Sequence, residues 1–205
     1  MRASSRRSPH GTPPIALHER AEADLAFVRA TVERSAYFSA VPGAPGIAMG
    51  VTALGAAWLA ASQPSVRAWL AVWVAEAALA GVIGAIGIVL KARRNGVNLD
   101  AAPGRRFGIG LVPPIVAGAA LTFGAVRTNA WTLLPAAWLL CYGVGVLAAG
   151  SVSVARVVPM LGSWFVCLGL AAVASPASWG NVYLALGFGV GHIAAGAVIM
   201  RDHGG

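Results

Sequence analysis

The chain has 205 residues, of which 58% are hydrophobic and only 11% charged, with a mean hydropathy of +0.73. A soluble domain carries roughly 25% charged residues, so this composition excludes an ordinary water-soluble globule and points to a chain whose solvent is lipid. The formal net charge of +8 is what cytoplasmic loops of membrane proteins accumulate, and no nucleic-acid partner is needed to explain it.

Residues 1–12 are rich in Arg, Ser and Pro and read as a disordered basic tail, with Arg2, Arg6 and Arg7 available to an anionic leaflet. Thr12-Pro13-Pro14 is a helix start, Thr12 capping and Pro13 opening the first turn. Over residues 13–40 an amphipathic cytoplasmic or interfacial helix is expected, with Leu17, Ala21, Leu25, Val28 and Val32 forming one stripe to about Phe38. Its mixed charges, including Arg20/Asp24 and Arg29/Glu33, suit docking of a partner protein, self-association or simple packing on the cytoplasmic loops better than a purely electrostatic membrane anchor.

Residues 41–205 form the expected transmembrane domain, an all-α polytopic bundle. Val41-Pro42-Gly43-Ala44-Pro45-Gly46 breaks the preceding helix. Six apolar runs follow at about 46–61, 68–90, 107–126, 130–150, 157–174 and 180–200. An N-terminus inside assigns all but Arg67 and Arg127 of the 15 Lys and Arg residues to the cytoplasmic side. That asymmetry sets both termini in the cytoplasm. Trp58, Trp69, Trp131 and Trp179 fall at the outer ends, where an aromatic belt belongs.

The last run contains Phe188-Gly-Val-Gly-His-Ile-Ala-Ala-Gly196, a near twin of Tyr142-Gly-Val-Gly-Val-Leu-Ala-Ala-Gly150. The same shift of 46 residues lays Val112-Pro113 on Val158-Pro159. We therefore expect three repeated helical hairpins in one orientation, related about the membrane normal. Gly143, Gly145, Gly187, Gly189 and Gly191 read as helix-packing positions, as do the small stripes Cys141/Gly145/Ala149, Gly187/Gly191/Ala195 and Ala77/Gly81/Ala85.

Two ionisable residues lie inside the runs, Glu76 in the second and His192 in the sixth. Each is nine residues from a flanking arginine, Arg67 and Arg201, at opposite faces. At about 1.5 Å per residue their depths differ by only several Å in a core of about 30 Å. Glu76 and His192 are thus the candidate intramembrane polar site: a proton-handling or polar-ligand pair if they meet, interhelical hydrogen bonds otherwise. Lys91, Arg93, Arg94, Arg105 and Arg106 flank a turn and read as a lipid-headgroup or topology determinant. Cys141 and Cys167 have neither metal nor disulfide-framework spacing. With no catalytic triad, phosphate loop, zinc helix or dinucleotide fingerprint, no enzymatic activity, cofactor or metal is expected.

The succession Glu33-Arg34-Ser35, Phe38-Ser-Ala-Val-Pro-Gly43, Pro103-Gly-Arg-Arg-Phe107, Val158-Pro-Met-Leu-Gly162 and the Gly191-His192 helix ending in Arg201-Asp-His-Gly-Gly205 resembles an uncharacterised family of bacterial six-span inner-membrane proteins, from about residue 20 onward. That resemblance implies a place in the bacterial inner membrane and no established activity. The expected function is a non-enzymatic scaffold or sensor acting through partner proteins, with a small proton-coupled transporter or channel using Glu76 and His192 as the alternative.

Overall fold

The structure, a computed structural model, describes residues 19–20, 22, 24–25, 27–28 and 37–203. The chain divides into two units, Met1–Ala36 and Tyr37–Gly205. In the first, Glu19, Arg20, Glu22, Asp24, Leu25, Phe27 and Val28 are helical. The predicted basic tail, the Thr12 cap and most of the amphipathic stripe lie outside the described residues. The predicted helix does not extend over 37–40. Phe38 is extended and pairs in parallel with Ser153, its N–H donating to Val152 O at 2.6 Å while Val154 N–H donates to Phe38 O at 3.1 Å. Burial of the Phe38 ring against Phe107, centroids 4.4 Å apart, overrides the helical pattern there.

The second unit contains six helices long and apolar enough to cross a membrane. They begin with α1 (Gly43–Ala61), α2 (Val66–Arg94), α3 (Ala102–Thr128), α4 (Leu134–Gly150) and α5 (Val157–Ala174). The sixth is composite: α6 (Gly180–Leu184), a π-helical segment Ala185–Gly191, and α7 (His192–His203). The Pro/Gly segment expected to precede the first span instead supplies its opening turn, because Gly43, Ala44 and Pro45 need no intrahelical acceptor there. Similarly, Lys91, Arg93 and Arg94 form the last turn of α2, and Arg105 and Arg106 belong to the start of α3. The loop between these basic turns shrinks to 95–101, with Gly96 at φ 63°.

Neighbouring spans pack in chain order, α1 on α2, α3 on α4, α4 on α5 and α5 on the sixth, which returns to α1. Among the described residues, α2 and α3 do not pack along their lengths. The bundle is an arc opened at one seam. Glycines close the other seams, since a Cβ at Gly143 would lie 2.9 Å from Phe165 and Val166 of α5, and one at Gly150 would lie 2.7 Å from Pro159 N. Their counterparts 46 residues on do the same against α1: a Cβ at Gly189 would strike Leu54, and one at Gly196 would lie 2.7 Å from Gly43 O and Ile47 N. Contact of this kind drives helix association in lipid, where hydrocarbon burial alone gives little.

Both ends of the arc are plugged. At the end bearing Arg67 and Arg127, Trp69 stacks on Trp138 with centroids 5.6 Å apart and planes 3° apart. At the arginine-rich end, Phe38, Ala40, Ala92, Phe107 and Ala149 form a buried cluster joining α2, α3 and α4.

Candidate functional site: an intramembrane cavity open between α2 and α3

Within the arc lies a cavity of about 790 Å³, walled by every span except α5's outer half and rimmed by Val74, Ile115 and Phe123 at the α2/α3 seam. All three rim residues are exposed, so the cavity faces the side of the bundle rather than either plugged end. The stripe Ala77/Gly81/Ala85, expected to receive another helix, faces this space instead. A Cβ at Gly81 would meet nothing within 4 Å. Gly118 of α3 is similarly unencumbered, with only Cys141 Cβ at 3.6 Å.

Besides the hydrogen bond from Trp138 Nε1 to Thr122 Oγ1 at 2.7 Å, two polar stations bearing ionisable side chains interrupt the carbon wall. The first is Glu76, 8% exposed. Thr52 Oγ1 of α1 donates to Glu76 Oε1 at 2.8 Å and also lies 2.9 Å from Met49 O. One hydroxyl proton therefore serves two acceptors. Glu76 Oε2 has no hydrogen-bond partner among the described residues, and the side chain borders the cavity.

The second station is His192 at the junction of the π segment and α7, 6% exposed. Its Nδ1 lies 3.0 Å from Phe188 O. A carbonyl can only accept, so Nδ1 carries a proton, and the Tyr142 hydroxyl at 2.8 Å donates to Nε2 of the neutral ring. Phe165 and Phe188 enclose the pair. Phe165 meets Tyr142 edge-on at 4.8 Å and His192 at 5.5 Å, and Phe188 lies 5.1 Å from Tyr142.

The π segment makes this station. Its wider turn frees carbonyls for side-chain donors, and two are used, Phe188 O by His192 and Leu186 O by Trp164 Nε1 at 3.2 Å. Gly187, Gly189 and Gly191 let neighbours press on the widened backbone, with Leu139 Cδ2 2.7 Å from a Cβ built at Gly187 and Leu161 Cδ1 3.1 Å from one at Gly191. The other packing glycine, Gly145, lies against α3, its Cβ position 3.3 Å from Leu111 O.

Glu76 and His192 thus border one cavity without hydrogen-bonding to each other. The direct pair does not form because α1 stands between α2 and the sixth span and supplies Thr52 first. Cys141 and Cys167 are both free, Cys141 on the cavity wall and Cys167 on the exposed surface. Of the predicted belt tryptophans, Trp58 is 80% exposed, whereas Trp69 points inward to Trp138.

Sequence reading missed Asn181. Its Oδ1 accepts from Trp73 Nε1 at 3.0 Å and Trp69 Nε1 at 3.2 Å, and its Nδ2 donates to Ala57 O at 2.9 Å. One amide ties α1, α2 and α6 together above the cavity. The available signal was a lone Asn one residue inside the last apolar run, flanked by Trp179 and Tyr183. Comparison of the chain with protein-family models, with curated proteins and with solved structures finds no match.

Proposed function

We propose that this chain is a non-enzymatic sensor in a bacterial inner membrane, which admits a bilayer-dissolved small molecule through the α2/α3 seam and acts through partner proteins. The observation that carries this reading is the cavity of about 790 Å³, within the range of small-molecule sites, closed at both ends yet open to the side. A water-soluble ligand has no such path, whereas a molecule dissolved in lipid does. The Lys/Arg asymmetry supports cytoplasmic termini, with the amphipathic segment preceding Tyr37 offered there to a protein partner or a second copy. The matching contacts of Gly143 and Gly150 with α5, and of Gly189 and Gly196 with α1, support three repeated hairpins, with the α2/α3 seam as the one such junction left open.

The transporter alternative draws on the shared cavity wall of Glu76 and His192. It requires both the Trp69–Trp138 stack and the Phe38–Phe107 cluster to open, which makes it the second reading.

Photolabelling tests the proposal. An uncharged long-chain diazirine alcohol, incorporated into nanodiscs with the full chain, should label Tyr142 and Phe188 as well as outward residues such as Trp58. In Gly118→Phe, which fills the cavity without meeting backbone, interior labelling should fall while labelling of Trp58 persists. Labelling confined to outward residues in the wild type would sink the reading.

A further inference from the structure

The cavity has an uneven chemistry that specifies its ligand further. It carries one acid, Glu76, and no Lys or Arg on its wall. The other ionisable group within hydrogen-bonding reach of a partner, His192, has both ring nitrogens engaged. Glu76 Oε2 is the open valence: the residue is more than nine-tenths buried, one carboxyl oxygen is held by Thr52, and the other, facing the cavity, has no hydrogen-bond partner among the described residues. Aromatic faces surround the remaining space, among them Trp73, Phe107, Phe123, Tyr142 and Phe188.

Resting on the binding reading above, we infer that the ligand is a lipophilic cation, a hydrophobic amine or onium ion, whose charge sits against the Glu76 carboxylate and whose hydrocarbon fills the aromatic cavity. Lipid tails are as apolar as the cavity wall, so hydrocarbon contact scarcely distinguishes a molecule in the site from one in the bilayer. Selection therefore falls on polar complementarity. An intramembrane carboxylate needs a counter-charge, and no Lys or Arg among the described residues lines the cavity to supply one. Trp, Tyr and Phe faces attract a cation and repel an anion of the same shape through the ring quadrupole. Thr52 holds the carboxyl from α1 while α2 carries it, so the acid is oriented before the ligand arrives. The α2/α3 seam admits the cation from the lipid phase, where its hydrocarbon already concentrates it.

Tetraphenylphosphonium and tetraphenylborate share size and shape and differ in the sign of their charge, so together they isolate the carboxylate's contribution. Equilibrium binding is measured on the full chain in zwitterionic nanodiscs, with protein-free discs subtracted. Saturable binding of the phosphonium is expected, with the borate weaker by at least about tenfold. Glu76→Gln should weaken the phosphonium by at least about tenfold and bring the two ions within about threefold of each other, while Glu76→Asp keeps the preference for the cation. Borate binding equal to or tighter than phosphonium binding, or a preference that survives Glu76→Gln, overturns the inference. If neither ion saturates while the uncharged diazirine alcohol still labels Tyr142, the charge assignment fails and the binding reading stands. If the alcohol also fails, both fall.

Discussion

Replacing Tyr142 by Phe removes one oxygen and leaves the ring packing in place. That oxygen lies 2.8 Å from His192 Nε2, which has no other hydrogen-bond partner among the described residues. Nδ1 remains held by Phe188 O at 3.0 Å, and Phe165, 0% exposed, fills the adjacent space, so the imidazole cannot turn to a new donor. Orphaning a buried acceptor costs about 1–3 kcal/mol. Hydrogen bonds between membrane helices average about 0.6 kcal/mol and reach about 1.7. Because the cavity borders His192, some of the loss is recovered by whatever occupies it, and about 1–1.5 kcal/mol is the expected cost. For a unit the size of Tyr37–Gly205, each kcal/mol moves Tm by about 2–4 °C, giving a fall of about 2–6 °C. Thermal unfolding in detergent at one fixed scan rate reads it. A double-mutant cycle with His192→Leu should show coupling above about 0.5 kcal/mol, because removing both partners leaves no orphan. A Tyr142→Phe protein that melts with the wild type, or two single effects that simply add, would refute the assignment of this pair.

Two further substitutions probe the frame around the cavity. Gly196→Leu sets a side chain 2.7 Å from Gly43 O and Ile47 N, backbone that cannot yield. It should cost at least about 1–3 kcal/mol and shrink the monodisperse peak on size exclusion, whereas Gly81→Leu, with nothing within 4 Å of its Cβ, should elute and melt as wild type. Asn181→Leu strips the acceptor from Trp69 and Trp73 and the donor from Ala57 O. It should lower stability by about 1–3 kcal/mol and shift tryptophan emission, and an unchanged melt would remove Asn181 from its bracing role.

What the sequence makes legible is what lipid imposes directly. Each apolar run must be long enough to cross and nearly free of charge, so the six helices emerge from hydropathy, and α5 begins and ends where the pattern does, at Val157 and Ala174. Glu76 and His192 stand out for the same reason. Their partners do not, because Thr52 becomes the partner of Glu76 only once α1 is inserted between α2 and the sixth span. The glycine twins show a second limit. Tyr142–Gly150 is regular α-helix whereas Ala185–Gly191 widens to a π turn, although Gly189 and Gly191 repeat Gly143 and Gly145; the π segment adds Gly187 where the first copy has Cys141, and donors such as Trp164 capture its freed carbonyls. The stripe Ala77/Gly81/Ala85 has the composition of a packing face and borders a cavity, because small residues permit close approach without compelling it. Phe38 illustrates the converse: one large ring with a pocket to fill holds its backbone extended beside Ser153 where the expected amphipathic helix would have included it.

Whether the interior of the arc is reached from lipid is the claim on which the rest depends. The ratio of diazirine-alcohol adducts on Tyr142 and Phe188 to those on Trp58, in wild type and in Gly118→Phe, measures it most directly. Interior adducts that form in the wild type and fall by at least about tenfold in the filled variant, with Trp58 unchanged, are expected. Interior residues that stay unlabelled in the wild type, or label equally after Gly118→Phe, would contradict it.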